Sequence, residues 1–288
     1  MMINWFVLTL ISSVALSLRE LSVKKAGSGL SSAYMSWGLN FFMFLMILGI
    51  TLLFGRTVSV SGEFLKILVL AAIMDAAATL LYLSAIKHGD LSKTIPMLCF
   101  IPVVQLFVTP VLVHENLSFP GMAGVLVVVA GSYILNIQQW DGFFSPIKGL
   151  VQNKSTLMML ATACIWGVSS SFHKIGIRQT NPLFWGACEI GLISVFLFPI
   201  AMKSEKKFFS VHKIKKTIWP ALFSTFSVLS YYMAINLGPV AYVSSVRRMA
   251  VLFSVVIGVV VLKEKARTTG LLGGLIMILG SVIICLFG

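Results

Sequence analysis

The sequence predicts an all-α integral membrane protein: ten transmembrane helices arranged as two inverted five-helix repeats around a central cavity. Three observations carry that prediction. The 288 residues are 58% hydrophobic and only 11% charged, with a mean hydropathy of +0.98, whereas soluble domains carry about 25% charged residues. Apolar runs of about 20 residues recur along the whole chain, the helix length that crosses a hydrocarbon core of about 30 Å. The second half of the chain also repeats the first.

In order, the spans fall near residues 3–25, 31–54, 64–87, 91–113, 118–138, 155–177, 182–202, 216–237, 240–262 and 267–287. The first has no basic leading segment and no small-residue cleavage site, so it reads as a retained anchor. Pro96, early in span four, frees a backbone carbonyl and marks a kink. The longer connections are "QQWDGFFSPIKGLVQNKS" after span five and "KSEKKFFSVHKIKK" after span seven. No soluble domain fits between the spans. The chain therefore divides into a first repeat (1–138), a linker (139–154) and a second repeat (155–288).

The repeat is clearest in one stretch that aligns without gaps, and one residue off its register Trp37-Gly38 meets Trp185-Gly186. "VLVHENLSFPGMAGVLVVVAGSYIL" (111–135) aligns to "VVLKEKARTTGLLGGLIMILGSVII" (260–284), setting Glu115 on Glu264, Gly124 on Gly273 and Gly131 on Gly280. The same register of 149 residues sets "SAIKHG" (84–89) on "MAINLG" (233–238). Five spans is an odd number, so the second copy lies upside down relative to the first. Secondary transporters are built this way, with the substrate site near the midplane between the copies.

Most of the 22 Lys and Arg lie in loops that follow odd-numbered spans. Only Arg56, Lys66, Lys174 and Arg178 fall after even-numbered spans, and Arg19, Arg247 and Arg248 lie inside spans. The positive-inside rule then places the odd-span loops in the cytoplasm and both termini outside, in what is expected to be a prokaryotic cytoplasmic membrane. Basic residues scattered between apolar runs also argue against a nucleic-acid partner, despite a net charge of +13. The four cysteines are single and sit in apolar runs, with no paired spacing for a disulfide frame or a zinc site. No metal or cofactor is expected.

With Glu115 and Glu264 closing the fourth span of each copy, a Gly-x-x-Gly start to the next span after each, and Trp166-Gly167 in span six, the chain resembles the drug/metabolite transporter superfamily, in particular its ten-span EamA-like branch. The resemblance implies a bundle in which spans 1, 3, 4, 6, 8 and 9 surround the cavity. Spans 5 and 10 would then lie at the periphery. The sequence departs from the family in span two of each copy, where Asn40 and Glu189 stand near the place of a common arginine. The glycine stripes of spans 5 and 10 suit close packing either within the chain or across a homodimer.

Ionisable residues inside a membrane must face protein or water and find a partner, which makes them functional candidates. Arg247 and Arg248 lie about seven residues into span nine, and Glu189 about seven into span seven, which starts on the same side. A pair between Glu189 and one of the arginines, structural or functional, is therefore geometrically possible. Their copy-one counterparts, Leu98 and Cys99, are uncharged, so the fold itself does not require the arginines. Asp75, central in span three, has no cation nearby in sequence and is a candidate for proton coupling or for bonding to hydroxyls. Arg19 and Glu20 lie towards the other end of span one, where Glu20 can reach Lys24 or Lys93. Trp166 and Tyr82 are expected in the cavity wall. Tyr231, Tyr232, Tyr242 and Ser244 form a polar band, partly explained as an interfacial aromatic belt. His173 and Lys174 end span six, with Lys174 snorkelling to the interface. Glu115 and Glu264 are expected to satisfy groups at helix ends.

Arginine's forked donors suit carboxylate or phosphate. The expected function is secondary active transport of a small anionic, zwitterionic or amphipathic metabolite, by alternating access within the lipid bilayer. A flippase for a lipid or lipid-linked sugar phosphate is the second reading. An enzyme is not expected, since the chain has neither HExxH nor GxSxG.

Overall fold

The computed structural model describes residues 2–26, 30–54, 58, 60–88, 94–136, 153–205, 208, 210–262 and 268–288. The apolar runs form helices α1 (Met2–Ala26), α2 (Ser32–Phe54) and α3 (Gly62–His88), a 3-10 segment (Ile95–Phe100) leading into α4 (Ile101–Leu112), then α5 (Phe119–Asn136). The second copy supplies α6 (Lys154–Gln179), α7 (Pro182–Ser204), α8 (Val211–Leu237), α9 (Val240–Arg247), α10 (Met249–Leu262) and α11 (Thr268–Phe287). Eight crossings are long and apolar enough to span a membrane, and the shorter apolar helices Phe119–Leu135 and Leu272–Phe287 complete ten.

Small polar residues start the helices. Ser31, Ser61 and Ser118 each accept a backbone N–H three residues on at 3.1 Å, and Asn181 does so from Phe184 at 2.9 Å. Asn153 caps α6 through the Ser155 N–H at 2.9 Å. Each side chain satisfies a first-turn donor that the helix itself leaves free.

The fourth and ninth crossings are both interrupted. The 3-10 segment begins around Pro96 and gives way to α4 after Phe100; Arg248 separates α9 from α10. In the 149-residue register Cys99 is the counterpart of Arg248, so the two interruptions coincide, although span nine contains no proline. Serines of α1 serve the second break. Ser13 Oγ reaches the carbonyls of Val246 and Arg247 at 3.4 and 3.3 Å, and Ser17 Oγ that of Ala250 at 2.8 Å. Hydroxyls can re-satisfy broken helices inside a membrane in this way.

The packing obeys the repeat. α1 lies on α8, α3 on α6, α2 on α7 and α5 on α11. Exchanging the copies turns the first of these pairs into the second and leaves the other two unchanged, as a two-fold axis in the membrane plane requires. Side chains mark the same relation. Ser12 and Ser227 exchange hydroxyl-to-carbonyl bonds of 2.7 and 2.9 Å across α1 and α8. Across α6 and α3, Thr162 Oγ1 reaches the carbonyl of Ala78, the counterpart of Ser227, at 3.4 Å.

The glycine stripes of α5 and α11 face one another within the chain. A Cβ built on Gly131 would stand 2.7 Å from the Gly273 carbonyl oxygen, and one on Gly280 would stand 2.8 Å from that of Gly124. The backbones touch at a distance only glycine permits. Of the two packings expected for these stripes, the structure uses the one within the monomer.

The bundle has two faces. The terminal face carries the start of α1 and the end of α11; the other, here called the basic face, carries the α7–α8 connection. There Glu205 Oε2 takes Lys213 at 2.7 Å and its Oε1 accepts the Ser31 N–H at 2.7 Å, joining the α1–α2 and α7–α8 connections.

Candidate functional site

A cavity of about 390 Å3 lies between the copies. Its lining comes from α1, α2, α3, the fourth crossing, α6, α7, α8 and the ninth crossing, and among the described residues none comes from α5 or α11. The six spans implied by the family resemblance are all present, and α2 and α7 add Asn40 and Glu189 to them.

Helical periodicity explains which residues arrive. α6 presents Trp166, Ser169, Ser170 and His173, spaced i, i+3, i+4 and i+7 along one face. α3 presents Asp75, Thr79 and Tyr82, and α8 presents Ser224, Ser227 and Tyr231, by the same rule. Exposure falls with depth. At the basic end the side chains of Glu20 and Arg19 are 52% and 32% exposed, whereas those of His173 and Glu189 are 10% and 1% exposed. The cavity opens at the basic face and ends blind towards the terminal face.

Two charged groups of opposite sign occupy the blind end. The acidic one joins three helices. His173 Nε2 lies 2.7 Å from Asp75 Oδ2 and 3.6 Å from Glu189 Oε1. The outer carboxylate oxygens are held by hydroxyls: Ser169 Oγ donates to Asp75 Oδ1 at 2.7 Å, and Tyr232 OH donates to Glu189 Oε2 at 2.5 Å. The basic group comes from the break in the ninth crossing. Arg247 Nη2 donates to Ser227 Oγ at 3.2 Å, and its guanidinium sits 4.3 Å from the centre of the Tyr231 ring. Tyr231 OH and Ser244 Oγ stand 3.3 Å apart beside it. The Nε atoms of Arg247 and Arg248 are buried without a hydrogen-bond partner. Neighbouring tyrosines separate the two groups, Tyr232 serving the carboxylates and Tyr231 the arginine, with rings 5.8 Å apart. Tyr82 and Trp166 pack together at 5.7 Å along the wall.

Arg19, Glu20, Asp75, Tyr82, Trp166, Glu189, Tyr232, Ser244, Arg247 and Arg248 all line this one cavity, while Lys93 lies outside the described residues. Several expected partners differ. Glu189 makes no ion pair with an arginine; Tyr232 and His173 hold it, because equal depth does not give equal direction around the helix axis. Asp75, which has no cation nearby in sequence, meets the imidazole of His173 from a distant span. Glu20 pairs with its own neighbour, Arg19, at 2.7 Å; whether Lys93 also reaches it lies outside the described residues. Lys174 does not snorkel. It is buried against Glu115 at 2.6 Å and the Gly238 carbonyl at 2.7 Å. Glu115 does serve a helix end, accepting the Val240 N–H at 3.0 and 3.1 Å. Tyr231, Tyr232 and Tyr242 are buried rather than in an interfacial belt. His173 was missed as a site residue, and its signal was the polar stripe of α6, visible in the spacing alone.

Asp75, His173 and Glu189 are also donors of the kind that hold a divalent cation, within 4.8 Å of one another. The 2.7 Å contact from His173 Nε2 to Asp75 fits a proton between the two atoms.

No curated protein sequence matches the chain. A solved structure titled only "Crystal structure of protein" is similar over 99% of this chain and 98% of its own, with a TM-score of 0.75 and 13% sequence identity, a likeness of fold. The family model of the EamA-like transporter family matches residues 3–137 and again residues 153–286. The chain thus belongs to the EamA-like transporter family, whose members carry small molecules across membranes.

Proposed function

We propose that the protein is a secondary active transporter of a small zwitterionic metabolite, amino-acid-like in charge, working by alternating access about the central cavity. The observation that supports this most is the pair of oppositely charged groups at the blind end. Arg247 and Arg248 line the cavity and pair with no carboxylate among the described residues, which is costly in a buried site unless a ligand meets them. A carboxylate suits that fork geometry. Asp75 and Glu189 stand across the two tyrosines and would receive the ammonium end. Tyr82 and Trp166 offer an apolar wall to the rest of the molecule. A simple anion would meet the arginines but leave the carboxylates unused. The family of small-molecule carriers does not favour the flippase. Asp75, bonded to His173, is the proposed carrier of a coupling proton.

The test is uptake of radiolabelled amino acids into proteoliposomes, guided by a thermal-shift screen of charged metabolites. Arg247→Gln and Arg248→Gln should each reduce uptake by about tenfold to a hundredfold, the worth of one charge-assisted hydrogen bond. Both proteins should remain folded. Uptake at the parent rate in both variants would refute the binding role.

A further inference from the structure

We infer that Tyr231 is the positioning residue for Arg247: its ring carries the guanidinium at the cavity wall, so that an anionic substrate group meets a cation whose donors no protein carboxylate has taken. The inference rests on the transport reading above. It adds which residue holds the arginine in place.

The arginine is held from α8. Ser227 and Tyr231 stand one turn apart on the same face of that helix, and both line the cavity. Ser227 Oγ gives its single proton to the Ser12 carbonyl of α1 at 2.9 Å, which leaves its oxygen as an acceptor. Arg247 Nη2 donates to that oxygen at 3.2 Å, and the guanidinium lies over the Tyr231 ring, 4.3 Å from its centre. The ring's hydroxyl stands 3.3 Å from the Oγ of Ser244, which precedes Arg247 by one turn of α9. Ring, hydroxyls and guanidinium therefore meet at one place on the cavity wall.

An aromatic ring suits a cation that must stay available. A carboxylate in its place would neutralise Arg247 and occupy the in-plane N–H groups. The face of a ring attracts the charge through its quadrupole, more strongly once water is excluded, and takes none of those in-plane donors. Tyr232, the next residue, gives the contrast: it donates to Glu189 Oε2 and serves the acidic group.

The repeat sets this group apart from the scaffold. In the 149-residue register Ser227 falls on Ala78, Ser244 on Ile95 and Arg247 on Leu98, while Tyr231 falls on Tyr82. The first copy thus has the ring without the arginine or either serine, and there the ring packs on Trp166 at 5.7 Å instead. An aromatic wall at this position satisfies the fold in both copies. Only in the second does it lie beneath this arginine, and the serine that accepts from the guanidinium is present with it.

The test reads the charge of the site without a cargo. In a background without the native cysteines, Ser244→Cys places a thiol beside Tyr231. Labelling is followed with two membrane-impermeant methanethiosulfonates added at the basic face, one bearing a sulfonate and the other a trimethylammonium group. The parent should favour the sulfonate. Arg247→Gln should reduce that preference roughly tenfold, the scale on which charge in a cleft changes the arrival of a charged reagent. Tyr231→Leu should reduce it as far, because the guanidinium is no longer held over the ring. Tyr231→Phe keeps the ring and should retain the parent preference. A merely structural role would change both rates together and leave their ratio as it was. The parent ratio in monodisperse Tyr231→Leu or Arg247→Gln protein would overturn the inference, as would a reduced ratio in Tyr231→Phe. If Tyr231→Leu does not fold, Tyr231→Met fills the site without a π face and decides in the same way. A lowered ratio alongside normal uptake by the arginine variants would remove the substrate reading and leave the placement of Arg247 standing.

Discussion

Asp75 is fixed by two donors from one helix, Ser169 and His173, a turn apart on α6. The contact between Nε2 and Oδ2 offers a place for a proton shared by a carboxylate and an imidazole. If Asp75 carries the coupling proton, Asp75→Asn should abolish the dependence of uptake on an imposed pH gradient while sparing substrate exchange. Gradient dependence at the parent level would assign Asp75 to structure. Outside the membrane, Glu205 gives a separate pH prediction. The bond from Lys213 holds its carboxyl below the ordinary value of 4.5, with the Ser31 N–H acting in the same direction. A depressed folded-state value means that the stabilisation is complete above about 4.5 and disappears as pH falls through the lowered value. The melting temperature of the parent should therefore exceed that of Glu205→Gln at neutral pH, with the gap closing in acid. A constant gap across that range would show that the charge of Glu205 is not what holds the connection. The sequence made the chemistry of Asp75 visible, but not its partners. Spacing within a helix fixes which residues share a face; it does not fix the rotation of that face against another helix. Hence Asp75 and Glu189 could be placed by depth, while the His173 contact, spanning 98 positions, could not.

Elements show the same division between what is local and what is not. The ten spans and the repeat of 111–135 in 260–284 are legible in short windows of sequence. So is the proline that begins the 3-10 segment at Ile95–Phe100. The break at Arg248 has no local signal, because its carbonyls are met by hydroxyls of α1, more than two hundred residues away. Removing those hydroxyls tests what they do. Ser13→Ala with Ser17→Ala should lower stability by about 1 kcal/mol for each lost bond. It should also let the ninth crossing straighten, withdrawing the arginines from the cavity and weakening substrate binding. Parent affinity in the double variant would mean that the backbone keeps the break without help. At the opposite edge of the bundle, Gly131→Leu should separate α5 from α11. Its side chain would meet the Gly273 carbonyl and the Met277 backbone, where a single Cβ already stands at 2.7 Å. The expected result is loss of monodisperse protein, since two carbonyl-lined helix faces cannot shift apart without opening a void. A well-folded variant would show that this packing is dispensable.

For the whole molecule, charge and shape point along the same axis. The cavity opens where Arg19 and Glu20 are exposed, on the face that carries Lys203, Lys213, Lys215 and Lys216. If the positive-inside rule holds for this chain, that face is the cytoplasmic one and the state seen here is open to the cytoplasm and closed to the outside. Two experiments separate the charge argument from the shape argument. A C-terminal epitope should be digested when protease is added to intact cells, since the end of α11 lies on the terminal face; protection until the cells are permeabilised would reverse the orientation. Independently, Asn40→Cys, in the wider part of the cavity, should react with an impermeant thiol reagent from the basic face only. Reaction from the terminal face alone would contradict the shape, whichever way the protein is inserted. If both results are as expected, a substrate entering from the cytoplasm meets Arg247, Arg248, Asp75 and Glu189 at the blind end of the cavity, with the buried Glu115–Lys174 pair beyond them.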